Sequence, residues 1–213
     1  MKNSPMPARS RGRPRGFDRD AALADAMRTF WKYGYEGASI ADLTGAMGIT
    51  PQSLYAAFRS KADLYREALD RYRTSVGGAI FESFQAEPEA VAAFGNLLRE
   101  SARAFCRRGR PRGCMVSTGV LTCAAEHAEI AAHVAGLRGA TIAAFEARVR
   151  RAIGAGELRS DTDAAALARY VGAVVQGMSV QARDGAKEAE LAAVAEMAAA
   201  TVAGYGVVRR VAV

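Results

Sequence analysis

The sequence has few of the residues on which most catalytic and metal sites depend. Its 213 residues include only two histidines and three cysteines, and neither a Gly-rich phosphate loop nor a nucleophile-elbow motif is present. We therefore predict no enzyme activity, no cofactor and no metal site. An all-α enzyme with an incidental basic tail is the alternative, and it would need a catalytic constellation that the sequence does not show.

Long apolar runs and a secretory leader are also missing. No uncharged stretch reaches the length of a membrane-spanning helix, and no apolar segment follows the charges at the amino terminus. The odd cysteine count without such a leader favours a reducing compartment over a disulfide framework. We expect a cytoplasmic protein with no membrane partner.

Proline is rare, with six residues, while half of the chain is apolar and alanine is abundant. No strand-like alternation is evident, so the composition predicts an all-α fold of about nine helices. Three helices lie before residue 60. Beyond them we predict helices over residues 60–85, 88–108, 114–125, 128–155, 161–184 and 187–205.

One stretch near the amino terminus has the pattern of two short helices joined by a tight turn. Ser39 can cap the first helix, with Asp42 completing a capping box, and Thr50 can cap the second, with Pro51 at its first position. Gly48 stands where the turn needs a positive φ. This is the helix-turn-helix pattern, whose second helix fits the major groove of DNA.

The side chains of this pair divide into an inward and an outward set. The inward set is apolar and comprises Ile40, Leu43, Met47, Ile49, Leu54 and Phe58. The outward set is small and polar to neutral, and it comprises Ser39, Thr50, Gln52, Ser53, Tyr55, Ala56 and Ala57. A face of this composition can lie against base edges, which predicts double-stranded DNA as the partner.

The stretch from residue 17 to about residue 72 resembles the DNA-binding domain of the TetR/AcrR family of transcriptional regulators. The matching positions are 26–30 (AMRTF), 33–35 (YGY), 39–43 (SIADL), 48–49 (GI), 53–55 (SLY), Phe58 and 60–61 (SK). The resemblance implies a repressor that binds a palindromic operator as a homodimer and is released by a small-molecule effector. It also implies about nine helices and a dimer formed through the last two.

Residue roles follow from the same resemblance. It implies that Tyr55 and Lys61 contact phosphates, and that Thr50, Pro51, Gln52 and Ser53 approach base edges or flanking phosphates. The chain departs from the common family pattern at 56–57, where two alanines replace an aromatic residue and a histidine. We expect the base readout to shift to Gln52, Ser53 and alanine contacts with thymine methyl groups.

The formal charge of +7 is unevenly distributed. Residues 1–15 carry five basic and no acidic side chains, whereas residues 16–73 are neutral overall. Because Gly12 and Pro14 disfavour helix, Arg11, Arg13 and Arg15 should form an extended arm that can enter a minor groove. The alternative is a solubilising tail without DNA contact.

Residues 73–213 should form a ligand-binding and dimerisation domain behind the DNA-binding domain of residues 16–72. The candidate pocket residues are Phe81, Phe84, Phe94, Phe105, Met115, Phe145 and Met178, all of which could equally be plain core. The candidate dimer contacts on the last two helices are Gly172, Val175, Gly177, Val194, Met197 and Thr201. The long helix from Ser60 would carry a change in the pocket to the recognition helix.

The cysteines leave a second regulatory hypothesis open. Cys106 and Cys114 bracket four arginines, and positive charge favours the reactive thiolate, so a redox- or electrophile-sensing regulator is an alternative. Cys114, Cys123, His127 and His133 lack the spacing of a metal site. A nucleoid-type protein that binds DNA without sequence preference is a further alternative.

Overall fold

The computed structural model describes residues 16–207. The amino-terminal helices are α1 (Arg19–Gly37), α2 (Ile40–Met47), α3 (Pro51–Phe58) and α4 (Lys61–Thr74). The remainder are α5 (Gly78–Ala86), α6 (Ala90–Cys106), α7 (Met115–Thr118), a 3₁₀ turn (Ala125–His127), α8 (Ala128–Gly154), α9 (Ala164–Arg183) and α10 (Glu188–Ala203).

The all-α prediction is confirmed, with ten α-helices over residues 16–207 in place of the nine expected. Within that range the β pairing amounts to a single bridge between Leu158 and Gly206. None of the helices there is both long and apolar enough to cross a bilayer.

The predicted helix over residues 60–85 is wrong as a single element, because the chain breaks at residues 75–77. The hydroxyl of Ser75 donates to the Arg71 carbonyl, which competes with continued helix. A Cβ at Gly78 would lie 2.7 Å from the Arg73 carbonyl oxygen, so only glycine permits this close turn. The result is two separate helices, α4 and α5, in place of one.

Two other helix boundaries differ from expectation. The predicted helix over residues 114–125 shrinks to the four residues of α7, because Gly119 directs its carbonyl to the N–H of Tyr35 (3.1 Å). The cap of α9 is Asp163, whose carboxylate accepts from the Ala166 N–H at 2.9 Å, and not Asp161 or Thr162.

Two apolar cores organise the helices. The first joins α1 to α4 and also contains Met115, Val120, Ile130 and Val134 from later in the chain. The second lies between α5, α6, α8, α9 and α10. The proposed boundary between residues 72 and 73 stays a prediction, and the shared first core packs the amino-terminal helices firmly against the rest.

Candidate nucleic-acid interface and effector cavity

The turn between α2 and α3 is built from local hydrogen bonds that the sequence encodes. Ser39 Oγ accepts from the Asp42 N–H at 3.0 Å, and the Ser39 N–H donates to the Asp42 carboxylate at 2.9 Å. The Ser39 hydroxyl also donates to the Asp42 carboxylate, and this bond and the one from the Ser39 N–H lower the pKa of Asp42 below its usual value. Gly48 has φ +63°, and Thr50 caps α3 by accepting from the Ser53 N–H at 3.2 Å. The capping box, the positive φ and the second cap are all confirmed.

Helix α3 turns a small face to solvent. Gln52, Tyr55 and Ala56 are exposed on one side, whereas Leu54 and Phe58 are buried on the other. Ser53 is half-buried, and its hydroxyl lies 3.0 Å from that of Thr50. The structure therefore brings the predicted contact residues of the recognition helix onto one accessible face.

Arg19 of α1 holds α3 in its orientation. Its guanidinium lies 4.3 Å from the centre of the Phe58 ring and bonds to the Glu67 carboxylate at 2.7 Å. Because Arg19 begins α1 and Glu67 lies on α4, one side chain ties three helices together. A rigid support of this kind is what precise base readout requires.

Lys61 opens α4 directly after the recognition helix. Its ammonium group lies 4.6 Å from the centre of the Tyr35 ring. Burial lowers the pKa of Lys61, while the nearby Glu36 carboxylate opposes that change. Glu36 in turn bonds to His127 Nδ1 at 2.8 Å. This arrangement holds Lys61 beside the recognition helix.

Arg59 is a candidate phosphate contact that the sequence reasoning missed. It is exposed, caps the end of α3 with φ +65°, and forms no ion pair within residues 16–207. A non-glycine residue at positive φ is uncommon and strained. The pattern of an arginine just before the Ser60 cap could have indicated it.

The chain enters the described part of the structure beside the recognition helix. Gly16 and Phe17 line a shallow hollow together with Thr50 and Ser53. The predicted arm contacts Arg11, Arg13 and Arg15 lie outside the described residues. Their attachment point is nevertheless next to the predicted DNA-contacting face.

Behind the DNA-binding helices, a cavity of about 670 Å³ lies between α4, α5, α6, α8 and α9. This volume falls within the ~300–1,000 Å³ usual for small-molecule sites. Of the seven predicted pocket residues, Phe81, Phe105 and Phe145 line it. Those that pack within the cores away from it are Phe84, Phe94, Met115 and Met178.

An apolar face on the last two helices is left exposed by the single chain. It consists of the exposed residues Ala166, Tyr170, Ala173, Val180, Ala193, Met197, Ala200 and Thr201 together with the half-buried Gly177, and we call it the α9–α10 face. Met197 is 74% exposed at its centre. Three of the predicted dimer contacts belong to this face. The remaining three do not, because Gly172 packs on Ile142, Val175 lines the cavity and Val194 packs against the core.

The cysteines occupy three different environments. Arg112 donates to Cys106 Sγ at 3.3 Å, and Cys114 lines the cavity. Cys123 lies near the carbonyl of His127. No group of three metal-ligating side chains comes together over residues 16–207.

Comparison with known proteins places this architecture among bacterial regulators. Residues 22–68 match the family model described as bacterial regulatory proteins, tetR family, and residues 91–198 match the model of the tetracyclin repressor-like C-terminal domain. Two repressors of Escherichia coli are similar over 88% of this chain and 90% of their own lengths. These are ComR, at 33% identity, and BdcR, at 30% identity.

A solved structure provides the DNA context. A cysteine-substituted variant of the TetR family regulator CifR, complexed with a 26-base-pair operator duplex, is 44% identical to this chain. The two superpose with a TM-score of 0.85, covering 89% of this chain and 98% of that one.

Proposed function

Since this chain belongs to the TetR family of DNA-binding transcriptional regulators, we propose that it is a repressor that binds a palindromic operator as a homodimer. Release would follow when a small molecule occupies the cavity. The observation that carries the proposal is the exposed face of α3, with Gln52 and Tyr55 projecting from a rigidly capped turn. As a transcriptional regulator it would act in the cytoplasm, and we assign it no enzyme activity.

Selection from a randomised DNA library tests the operator proposal. We expect enrichment of an inverted repeat whose half-sites are about one helical turn apart. Tyr55→Ala or Lys61→Ala should weaken binding to all sequences by a similar factor, since both would contact phosphates. Gln52→Ala should relax preference at one or two base positions. Failure to enrich any motif would favour the nucleoid-type alternative.

The α9–α10 face supports the homodimer. A contiguous exposed apolar face on two neighbouring helices is typical of a protein–protein interface. Two copies related by a two-fold axis would bury this face as a four-helix contact. Met197→Glu should leave a helical protein that sediments as a monomer and loses operator binding. Ala135→Glu, at an exposed position of α8 away from this face, introduces the same charge and is the matched control. A Met197→Glu protein that stays dimeric would refute this interface.

The basic arm supports DNA affinity rather than specificity. Removing residues 1–15 should lower the slope of log affinity against log salt by up to ~4 units, at about 0.9 per phosphate contact. An unchanged slope would favour the alternative of a solubilising tail.

A thiol-based regulator is the second candidate, and the position of Cys114 in the cavity wall favours it. A second cysteine, Cys106, also has a basic neighbour, because Arg112 donates a hydrogen bond to its sulfur. Non-reducing electrophoresis and mass determination after mild oxidant or alkylating agent would detect modification. If Cys114→Ser remained fully responsive to oxidant, the thiol would have no part in release.

A further inference from the structure

A strongly basic vestibule opens onto the cavity. The vestibule and the cavity share Val76, Ile80, Ala104 and Arg110 in their walls, so the two spaces adjoin at these residues. Besides Arg110, the basic side chains of the vestibule are Arg103, Arg107, Arg108, Arg112 and Lys187. Glu100 and Glu188 are its two acidic side chains. A concave surface with this imbalance concentrates anions at the cavity entrance.

The vestibule contains the carboxylates of Glu100 and Glu188, but among the described residues neither lies within salt-bridge distance of its arginines. None of the five forms an ion pair with a side chain of residues 16–207. On a neighbouring surface, by contrast, Arg99 pairs with the Glu196 carboxylate at 2.7 Å. Charges left unpaired at the mouth of a cavity are available to a ligand.

Arg110 stands at the neck between the two spaces. Its Nη2 donates to the Ala104 carbonyl at 2.9 Å, while its Nε is buried without a partner. The guanidinium lies 5.6 Å from the centre of the Trp31 ring. Burial lowers the pKa of Arg110, and the positive charge of the neighbouring Arg107 lowers it further, while Tyr72 opposes the change. A carboxylate at the neck would supply both the missing charge and the missing acceptors.

The interior beyond the neck is mainly apolar. Phe81, Phe105 and Phe145 line it together with aliphatic side chains. Its acidic wall residues are Asp70, which pairs with Arg73 at 3.7 Å, and Glu82. A second arginine, Arg138, also lines the cavity and donates to backbone carbonyls only. The unpaired charge inside the cavity is therefore positive on balance.

From this geometry we propose that the effector is an organic anion with an apolar body, whose carboxylate is bound by Arg110 at the neck of the cavity. The vestibule attracts the anion, and the aromatic interior holds its hydrocarbon part. The inference rests on the proposed ligand-released repressor and specifies the chemical class of its ligand.

Arg110 also connects the ligand to the DNA-binding helices. Trp31, which the guanidinium faces, lies on α1, and its indole N–H donates to the Gly113 carbonyl at 3.2 Å. A carboxylate that draws Arg110 toward the cavity changes the surroundings of Trp31 directly. Because Trp31 is the single tryptophan of the chain, its fluorescence reports on this site without reference to DNA.

The test compares acids with their neutral amides on the full-length protein. Octanoate and 4-phenylbutyrate are titrated against octanamide and 4-phenylbutyramide, with Trp31 emission and calorimetry as readouts. We expect the acids to bind about 10- to 100-fold more tightly than the amides, because a charge-assisted bond is lost in the amide. Their affinity should fall as salt rises. Equal binding of acid and amide, or binding of neither, would overturn the proposal.

Variants then locate the carboxylate. Arg110→Gln should bring the affinities of acid and amide together, and Arg110→Lys should restore part of the difference. Arg151→Gln, at an exposed position of α8 outside both the vestibule and the cavity, is the matched control and should keep the preference. A preference retained in Arg110→Gln would show that another cation binds the acid. Should Arg110→Gln fail to fold, the comparison of acids with amides on the unsubstituted protein still decides.

Operator binding is measured on the same preparations. If the protein selects an operator but shows no preference for acids, the proposed ligand class is wrong and the regulator function stands. If it selects no DNA motif, the proposed function itself fails.

Discussion

Arg183 is the clearest structural link between the carboxy-terminal helices and the DNA-binding helices. It is the last residue of α9, and its guanidinium donates to the carbonyls of Trp31 and Lys32, each at 3.0 Å. Both carbonyls belong to the turn of α1 before the break at Gly34. Because the Tyr35 N–H donates to Gly119 instead, the Trp31 carbonyl has lost its usual helical partner.

Replacing this arginine by methionine removes these two hydrogen bonds and a third, longer one to the Thr118 hydroxyl at 3.3 Å, and it keeps the methylene packing. Hydrogen bonds to charged groups contribute about 1.5–3 kcal/mol each when buried. Arg183 is exposed, so solvent screens and replaces part of each bond. We therefore expect Arg183→Met to lower the free energy of unfolding by about 2 kcal/mol in total. For a chain of this size, that corresponds to a fall in Tm of about 4–8 °C.

Thermal melts followed by circular dichroism measure this change. Arg169→Met is the matched control, because Arg169 is exposed on the same helix. Its side chain forms no hydrogen bond with any group of residues 16–207. It should change stability by less than about 0.5 kcal/mol. If Arg183→Met melted with the unsubstituted protein, these bonds would contribute nothing, and α9 would not hold α1 in place through this residue.

Three further outcomes follow from the structure. Gly113→Ala should lower the free energy of unfolding by more than about 2 kcal/mol, because φ is +75° and the new Cβ would lie 2.6 Å from a carbonyl oxygen of α9. Gly109→Ala is the control: its φ is +81° but its Cβ would lie in open space, so the same urea titration should show a smaller loss. The hydrogen bond from His127 lowers the pKa of Glu36, so its stabilisation is present above the ordinary pKa and is lost as pH falls; urea titrations from pH 6 to pH 3 should show a smaller loss for Glu36→Gln. Ser39→Ala should cost about 1 kcal/mol by loss of the cap, and an unchanged urea midpoint would show that the capping box is not needed.

The sequence predicted those parts of the fold that depend on local chemistry. The caps at Ser39, Thr50 and Ser60 each satisfy the N–H three residues ahead, so their geometry needs no distant partner. The same holds for Gly48, where only the backbone conformation matters. These local rules located the helix-turn-helix and the face that it presents.

The cavity could not be predicted in the same way. Phe84 and Phe145 are similarly buried, yet Phe145 lines the cavity, whereas Phe84 packs against the rings of Phe81, Phe94 and Phe145. Whether a core aromatic ring faces a cavity or another side chain depends on the positions of all the helices around it. The same reasoning applies to Arg110, which the sequence marked only as one arginine in a basic loop.

The break at residues 75–77 changes how the cavity and the recognition helix can be connected. A continuous helix from Ser60 would act as a lever, but α4 ends at Thr74 and α5 begins only at Gly78. The segment over residues 113–120 offers a shorter route, since it lines the cavity at Val116 and Ser117. It also receives hydrogen bonds from α1 at both ends, through the Trp31 indole and the Tyr35 N–H. A ligand that displaces this segment acts on α1 directly, and α1 packs against α2 of the helix-turn-helix. Rotation of α5, by contrast, can be absorbed at the break before it reaches the DNA-binding helices.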